Sequence, residues 1–533
     1  MKNFYSSLAL MIGLLVVSAQ TNPTVELVKD INPNGHGMDS YHPEFANFNG
    51  LLFFKADDGV HGEELWATYG TEATTWMIKD INPNGHSSPS NMYVHNGMLY
   101  FAADDGVHGH ELWINDGTPE GTQLLKDIHP TDDGISGELL FTELNNKLYF
   151  VAEDDLHDSE LWMTDGTPEG TEMVKDINPF GSGVYSFITK FNNQLYFSAY
   201  DQENGSELWV SDGTTAGTQM FISLNPNGGS NPRNLIEMNG FLYFTVNNGT
   251  SGVELWRTDG TVAGTQMVKD ITPGNASSSF RNHFAVLNNL LYFNVNDGVN
   301  GFELWVSDGT EEGTYLFKDI NPGTAWGEPE FFMEYNNKLY FNANDGVHGE
   351  ELWTTDGTEE GTYMVKDVTV GGNSYAMPVI VYNDRLYFMA SYDFWYTDGT
   401  EEGTFMIEPE GATDSMANVG SDESDFYEYD GAIYFPAIYL ESGFELWKLT
   451  TATLSVKDSR EPQIRVYPNP VKDRLHIDHD APVEVVWVYD MNGRLIQWVK
   501  EQNTIDLSGL SPGVYLVKIQ SQGKVQNKKI IKK

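Results

Sequence analysis

The chain has 533 residues and no cysteine, with 77 Asp plus Glu against 30 Lys plus Arg, a formal net charge of −47 at pH 7. Without cysteine there are no disulfides, no thiolate metal sites and no lipid attachment at a thiol, so any exported form must be held by its core alone. Such acidity argues against a surface that meets nucleic-acid phosphates or anionic lipid, since both need clustered Lys and Arg, and it favours solubility and cation binding.

At the start of the chain, Lys2 precedes the apolar run Leu8 to Val17, and Val17-Ser18-Ala19 offers small residues suited to cleavage. Residues 1–19 therefore read as a secretory signal peptide. Ten apolar residues are too few for a stable bilayer span, so no transmembrane anchor is expected once the signal is removed. A strand-like segment, VELVKD at 25–30, follows.

From there the chain repeats. Trp66, Trp113, Trp162, Trp209, Trp256, Trp305, Trp353, Trp395 and Trp447 are spaced by 47, 49, 47, 47, 49, 48, 42 and 52 residues, a period at which each copy is one supersecondary unit. In the unit at 330–367, the runs EFFMEY, KLYFNAN, EELWTT and TYMVKDV are rich in aromatic and β-branched residues, and the punctuation between them is Asn-Asn, DGVHG and DGTEEG. That pattern predicts a four-stranded antiparallel meander. Leu339 and Phe341 point one way and Tyr340 the other, while Leu352 and Trp353 also face opposite sides, so both faces of each sheet are apolar. Sheets stacked around an axis bury both faces, and the expected fold is all-β: one β-propeller over 25–458 with eight or nine four-stranded blades. Each buried Trp removes about 150–250 Å² from water, roughly 4–6 kcal/mol at about 25 cal/mol per Å². The first unit (Tyr69, Ala73-Thr74) and the eighth (Asp393-Phe394, no GVHG) depart from the pattern, and either VELVKD or LSVKD at 454–458 can close the ring.

Propeller geometry puts the DGVHG loops and the INPNG connections on one face and the DGT turns on the other. The first face collects His61, His108, His157 and His348, together with Asp57, Asp58, Asp104, Asp105, Asp154, Asp155 and Asp345. His110 and Asn204 are places where the copies differ, so this face is the expected ligand surface. Glu64 and Glu111 lie within eight residues of the paired aspartates, which makes calcium a second reading of these loops. The spacing is not D-x-D-x-D-G, however, and Asp-Gly serves hairpin turns equally well, so turn chemistry is the stronger reading. Histidine-bound zinc is weaker still, because HExxH is absent and the histidines come one per blade. Asp165, Asp259 and Asp356 of the DGT turns are expected to bond their own backbone. The outer-strand pair Lys175 and Asp176 is expected to discourage edge pairing.

These residues resemble the ELWxxDGT-repeat family of bacterial secreted proteins, in which ELW, DGT, GT and KD recur in register over 25 to about 458. The resemblance implies extracellular location and a propeller-like repeat, and it supplies no reaction. No G-x-S-x-G elbow, P-loop, dinucleotide fingerprint or cysteine nucleophile is present, so no catalytic residue is assigned.

The composition changes after Asp458. Residues 464–533 hold 11 Lys plus Arg against 7 Asp plus Glu, leaving −51 on the first 463 residues. The short runs HID, VEVVWVYD, LIQWVK, TIDL and VYLVKI predict a small β-sandwich. Val466-Tyr467-Pro468-Asn469-Pro470, the segment Tyr489 to Arg494 with Gly493, LSGLSPGVYLVKI with Pro512 and Gly513, and the basic terminus resemble the type A C-terminal sorting domain of the Bacteroidetes type IX secretion system. That resemblance implies export across the outer membrane and recognition by the secretion machinery. The expected function is a surface or secreted module that binds extracellular glycan or protein. A polysaccharide-degrading hydrolase or lyase, or a structural matrix component, would use the same scaffold.

Overall fold

In the computed structural model, nine successive antiparallel sheets each carry one of the repeated tryptophans. The structure describes residues 23–38, 42–136, 140–185, 188–408, 417–419, 423–439, 443–451, 464–478, 482–490, 495–500, 502–521 and 524–533. The expected signal peptide and the LSVKD segment lie outside them. The described chain divides into two compact units, one within Asn22–Ala452 and one within Thr453–Lys533. Among the described residues, no helix is long and apolar enough to cross a membrane.

The first sheet shows why the repeat folds as it does. It pairs β2 (Ala46–Phe48), β3 (Leu51–Asp57), β4 (Glu63–Thr68) and β5 (Thr75–Lys79) in sequence order, while β1 (Pro23–Lys29) pairs elsewhere. Asn49 and Gly50 take φ values of 54° and 76°, the left-handed pair that a two-residue hairpin requires. Leu52, Phe54 and Trp66 pack on one side with Tyr434 and Leu446 of the ninth sheet, and Phe53, Leu65 and Ala67 pack on the other with Leu99 and Phe101 of the second. Both faces are therefore buried. Each later sheet shares a cluster with the next, up to Tyr387 and Phe394 of the eighth against Phe435 and Trp447 of the ninth.

The ninth sheet settles the strand count. Its strands Tyr427–Tyr429, Ala432–Ile438 and Glu445–Thr451 are completed by β1, which pairs antiparallel from Pro23↔Thr451 to Leu27↔Trp447. VELVKD is thus the outer strand of the last sheet. A short strand, Ala417–Val419, also pairs with Ala432–Ile438. In the eighth sheet, where GVHG is missing, Ser391 and Tyr392 make the turn at φ 53° and 69°.

A bulge opposite the Leu-Trp step, as where Leu65 pairs with Lys79 and Trp66 with Met77, ends the outer strand at the Lys-Asp pair in the copies that carry one; in the fourth sheet it falls at Ile222. The lysine does not serve as a free edge charge, and that expectation is corrected. Lys79 Nζ donates to Thr122 O of the next sheet at 2.7 Å, and Lys175, Lys269 and Lys318 reach Thr218, Thr314 and Thr362 at 2.7, 2.7 and 2.9 Å. Lys79 and Lys175 also lie 5.6 and 5.7 Å from the rings of Trp113 and Trp209. Each of the four straps its sheet to its neighbour through a charge-assisted hydrogen bond, to which Lys79 and Lys175 add a cation–π contact.

The second unit has a three-stranded sheet (Arg465–Tyr467, Arg474–Asp478, Thr504–Asp506) and a four-stranded one in the order Leu495–Lys500, Val483–Asp490, Gly513–Ser521, Lys524–Lys532. They share one core, in which Leu475 and Ile477 of the first meet Val486, Val517 and Ile530 of the second.

Candidate functional site

The loops that follow β3-type strands are built by their aspartates. Asp57 Oδ1 accepts the Gly59 amide at 2.7 Å, and Asp58 Oδ1 accepts Val60 and His61 at 2.9 Å each. Asp58 Oδ2 lies 2.8 Å from His61 Nδ1. Asp104, Asp105 and His108 repeat this arrangement, as do Asp345 and His348 with Asn344 in place of the first aspartate. Asp154 accepts Leu156 and His157 in the third sheet, where Asp155 is exposed. Asn204 takes the histidine's place against Asp201, donating from Nδ2 at 2.9 Å. Hydrogen bonding to these aspartates raises the imidazole pKa of His61, His108 and His348 above the usual histidine range. The histidines are thus locks on their own turns, one per sheet. His110 instead has its amide on Asp133 Oδ1 at 2.7 Å.

The glutamate of ELW has a role that sequence reasoning missed. Glu64 is fully buried and accepts Ile81 N at 2.7 Å, Asn82 N at 3.2 Å and Ser87 Oγ at 2.7 Å, all from the connection to the second sheet. Glu111 likewise takes Ile128, His129 and Gly134, and Glu303 takes Ile320, Asn321 and Gly327. Glu445 holds Ile31 and Gly37 of the connection after β1. Burial pushes Glu111, Glu160, Glu254, Glu303 and Glu445 up to about 7, against the backbone donors that lower it. The only sequence signal was a carboxylate in a strand otherwise apolar on both faces.

These bonds bear directly on the calcium reading. Asp57 and Asp58 face amides of their own turn, whereas Glu64 and Glu111 face the following connection. Among the described residues, no group of three or more His, Asp or Glu side chains is placed to hold a metal ion.

The turns and connections meet at the same end of each sheet, as expected: Glu63 N donates to His86 Nδ1 at 3.0 Å, and Phe444 N to His36 Nδ1 at 3.0 Å. A cavity of about 280 Å³ opens where the ninth sheet meets the first, with His36, Met38 and Phe444 facing Lys55, Asp57 and Glu63. The same end exposes apolar and aromatic tips: Val60, Val107, Leu156, Val299 and Val347 on the turns, and Phe180, Tyr185, Trp326 and Tyr375 on the connections. At the other end, Asp165 Oδ1 accepts Thr167 N at 3.0 Å and Thr167 Oγ1 at 2.7 Å, and Asp259 and Asp356 do the same, as the sequence led us to expect. Gly170 must be glycine there, because a Cβ would overlap the Asp165 carboxylate.

In the C-terminal unit, Asn469 Oδ1 accepts Ile531 N at 2.7 Å and its Nδ2 donates to Lys529 O at 3.2 Å, so the Pro468-Asn469-Pro470 segment clasps the final strand. Pro512 and Gly513 are exposed at the start of a strand, and Gly493 lies outside the described residues.

Residues 465–533 match the family model of the secretion system C-terminal sorting domain. The match marks the protein as cargo of the type IX system, exported across the outer membrane to the cell surface or the extracellular space. No curated protein sequence matches the chain. Among solved structures, the extracellular domain of BT4673 from B. thetaiotaomicron is 11% identical with a TM-score of 0.37, over 92% of this chain and 73% of that one. Prolyl oligopeptidase B from Galerina marginata is 11% identical with a TM-score of 0.37, over 66% and 54%. A puromycin hydrolase is 14% identical with a TM-score of 0.35, over 69% and 60%. Superpositions this loose carry no inference about fold or activity.

Proposed function

We propose that the repeat unit is a nine-bladed β-propeller of the ELWxxDGT kind that binds extracellular glycan or protein and performs no chemistry of its own. The sheet-to-sheet contacts that return from the ninth sheet to the first support the propeller reading. The observation that carries the binding reading is the concentration of exposed apolar and aromatic tips at one loop end of an exported, strongly acidic protein, since large apolar side chains kept in water mark interaction surfaces. The polar residues of that end, His61 and Asn204 among them, are tied into their turns, which presents those tips on a rigid frame.

A glycan array probed with the mature protein, with and without calcium, tests the reading, with product analysis on the bound polysaccharides alongside. Binding without turnover is the expected result. Bond cleavage would move the protein to the hydrolases or lyases, and silence on every glycan and surface protein would leave a structural matrix role. A signal that needs calcium would restore the aspartate turns as metal ligands.

A further inference from the structure

One sector of the loop-rich end breaks the repeat in several coordinated ways. The inner strand of the sixth sheet, Ser279–Leu287, has nine residues where Ala46–Phe48 and Thr142–Leu144 have three and Ser90–His95, Arg233–Met238, Glu330–Tyr335 and Met377–Tyr382 have six. It carries Arg281 and His283 in a chain where only 30 residues are Lys or Arg. Arg281 Nη2 donates to Glu328 Oε1 at 2.7 Å, and its Nε lies 3.6 Å from Glu330, so one guanidinium crosses from the sixth sheet to the seventh. The same guanidinium lies 4.4 Å from the Phe302 ring, which in turn meets Trp326 edge-on at 5.3 Å and 85°. His283 Nδ1 accepts Phe331 N at 3.2 Å with the two rings 4.8 Å apart.

The network then continues toward the eighth sheet. Glu330 pairs across the sheet with Asn342, whose Nδ2 donates to Glu350 Oε2 at 3.2 Å. Glu350 accepts from Asn373 at 3.4 Å, and Asn373 donates to Tyr375 Oη at 3.2 Å. Glu328, Phe331 and Tyr375 hold φ values of 44°, 58° and 52°, a region that bulky residues rarely occupy. On the segments that carry these bonds, Trp326, Phe331 and Tyr375 expose 49%, 37% and 59% of their surface.

We infer that this sector is a saccharide subsite and that its ligand is a neutral oligosaccharide. The inference rests on the binding function proposed above and gives it a place and a ligand class. Aromatic faces in water suit the apolar C–H faces of a pyranose, while the guanidinium, carboxylates and amide offer the paired donors and acceptors that vicinal hydroxyls need. Charge selects the sugar. Glu328, Glu330 and Glu350 outnumber Arg281, and the chain carries −47, so a hexuronate or sulfated glycan would be repelled whereas a neutral one is not.

Calorimetric titration of the mature protein tests this with neutral hexose and N-acetylhexosamine oligomers on one side and hexuronate oligomers on the other. Trp326→Ala and Tyr375→Ala are expected to weaken binding of the neutral oligomers at least tenfold, with Phe405→Ala, a change on the outer strand of the eighth sheet at a residue as exposed as Trp326 (49% each), leaving it intact. If Trp326→Ala yields too little folded protein, Arg281→Lys, which keeps the charge but loses the guanidinium that reaches Glu328 and Glu330 together, reads the same site. Neutral-sugar binding that all the sector variants leave untouched would overturn the subsite while leaving a glycan-binding propeller standing. Preference for hexuronates would overturn the ligand class, and wild-type protein that binds no oligomer would overturn both the subsite and its ligand class, leaving protein binding as the function of this end.

Discussion

The two ends of the repeated sheets are made from similar residues and behave differently. At the DGT end, Asp165, Asp259 and Asp356 make the same two bonds to the threonine two residues on, and the first unit, with Tyr69 in place of the aspartate, is the one that builds this turn differently among these copies. At the other end the aspartate turn is equally regular, but the residue just before Glu-Leu-Trp changes from Glu63 to His110, Ser159, Val253 and Phe302, and the connections change length and content. Repetition there stops where the backbone is satisfied. The lesson is that the copied residues hold the sheets together and that recognition belongs to the side chains that differ.

The sharpest way to break this division is to remove a copied residue. Trp353→Ala is expected to cost about 3–5 kcal/mol, as for other large aromatics removed from a close-packed core, and denaturant unfolding would show it. Glu111→Ala follows, because it strands the amides of Ile128, His129 and Gly134 in a buried place; a loss of roughly 3 kcal/mol by the same measurement is expected.

The glutamates also make stability depend on pH. Five carboxyls with folded pKa values near 7 and an ordinary value near 4.5 bind protons more tightly in the folded state. Their contribution is complete below about 4.5 and is lost as pH rises through about 7, so the melting temperature is expected to fall between pH 5 and pH 8. Glu111→Gln should flatten that slope, and an unchanged slope would show that Glu111 does not titrate in this window. Smaller again is Asp165→Ala, which removes one exposed turn lock and is expected to cost about 1 kcal/mol. Trp326→Ala should fall within about 0.5 kcal/mol of wild type, since half of that ring is already in water.

Much of the fold was legible because each strand writes its burial into its own residues. The Leu-Tyr-Phe and Leu-Trp steps required two buried faces, Asn-Gly and Asp-Gly required turns, and VELVKD, one of two candidate segments, pairs as the outer strand of the ninth sheet. The connections were harder. Whether Glu64 faces water, a metal or a neighbouring amide depends on a loop 17 residues away that folds back over it, and Lys79 reaches a carbonyl 43 residues on. Local spacing cannot report either. The sector around Arg281 was invisible for the same reason: its partners Glu328 and Glu330 come from the next copy of the repeat and look like ordinary solvated acids until the inner strands are placed side by side. A clue was present in Phe302 and Trp326, aromatics at positions where the other copies are mostly polar or small.

The central claim, that stability lives in the copies and recognition in the exceptions, is tested most directly by measuring melting temperature and neutral-oligosaccharide affinity on two variants side by side. Glu111→Ala is expected to melt several degrees lower and, while folded, to bind as wild type does; Trp326→Ala is expected to melt with wild type and bind at least tenfold more weakly. If Glu111→Ala weakened binding at a temperature where it is fully folded, or if Trp326→Ala lost stability without losing affinity, the division would be contradicted.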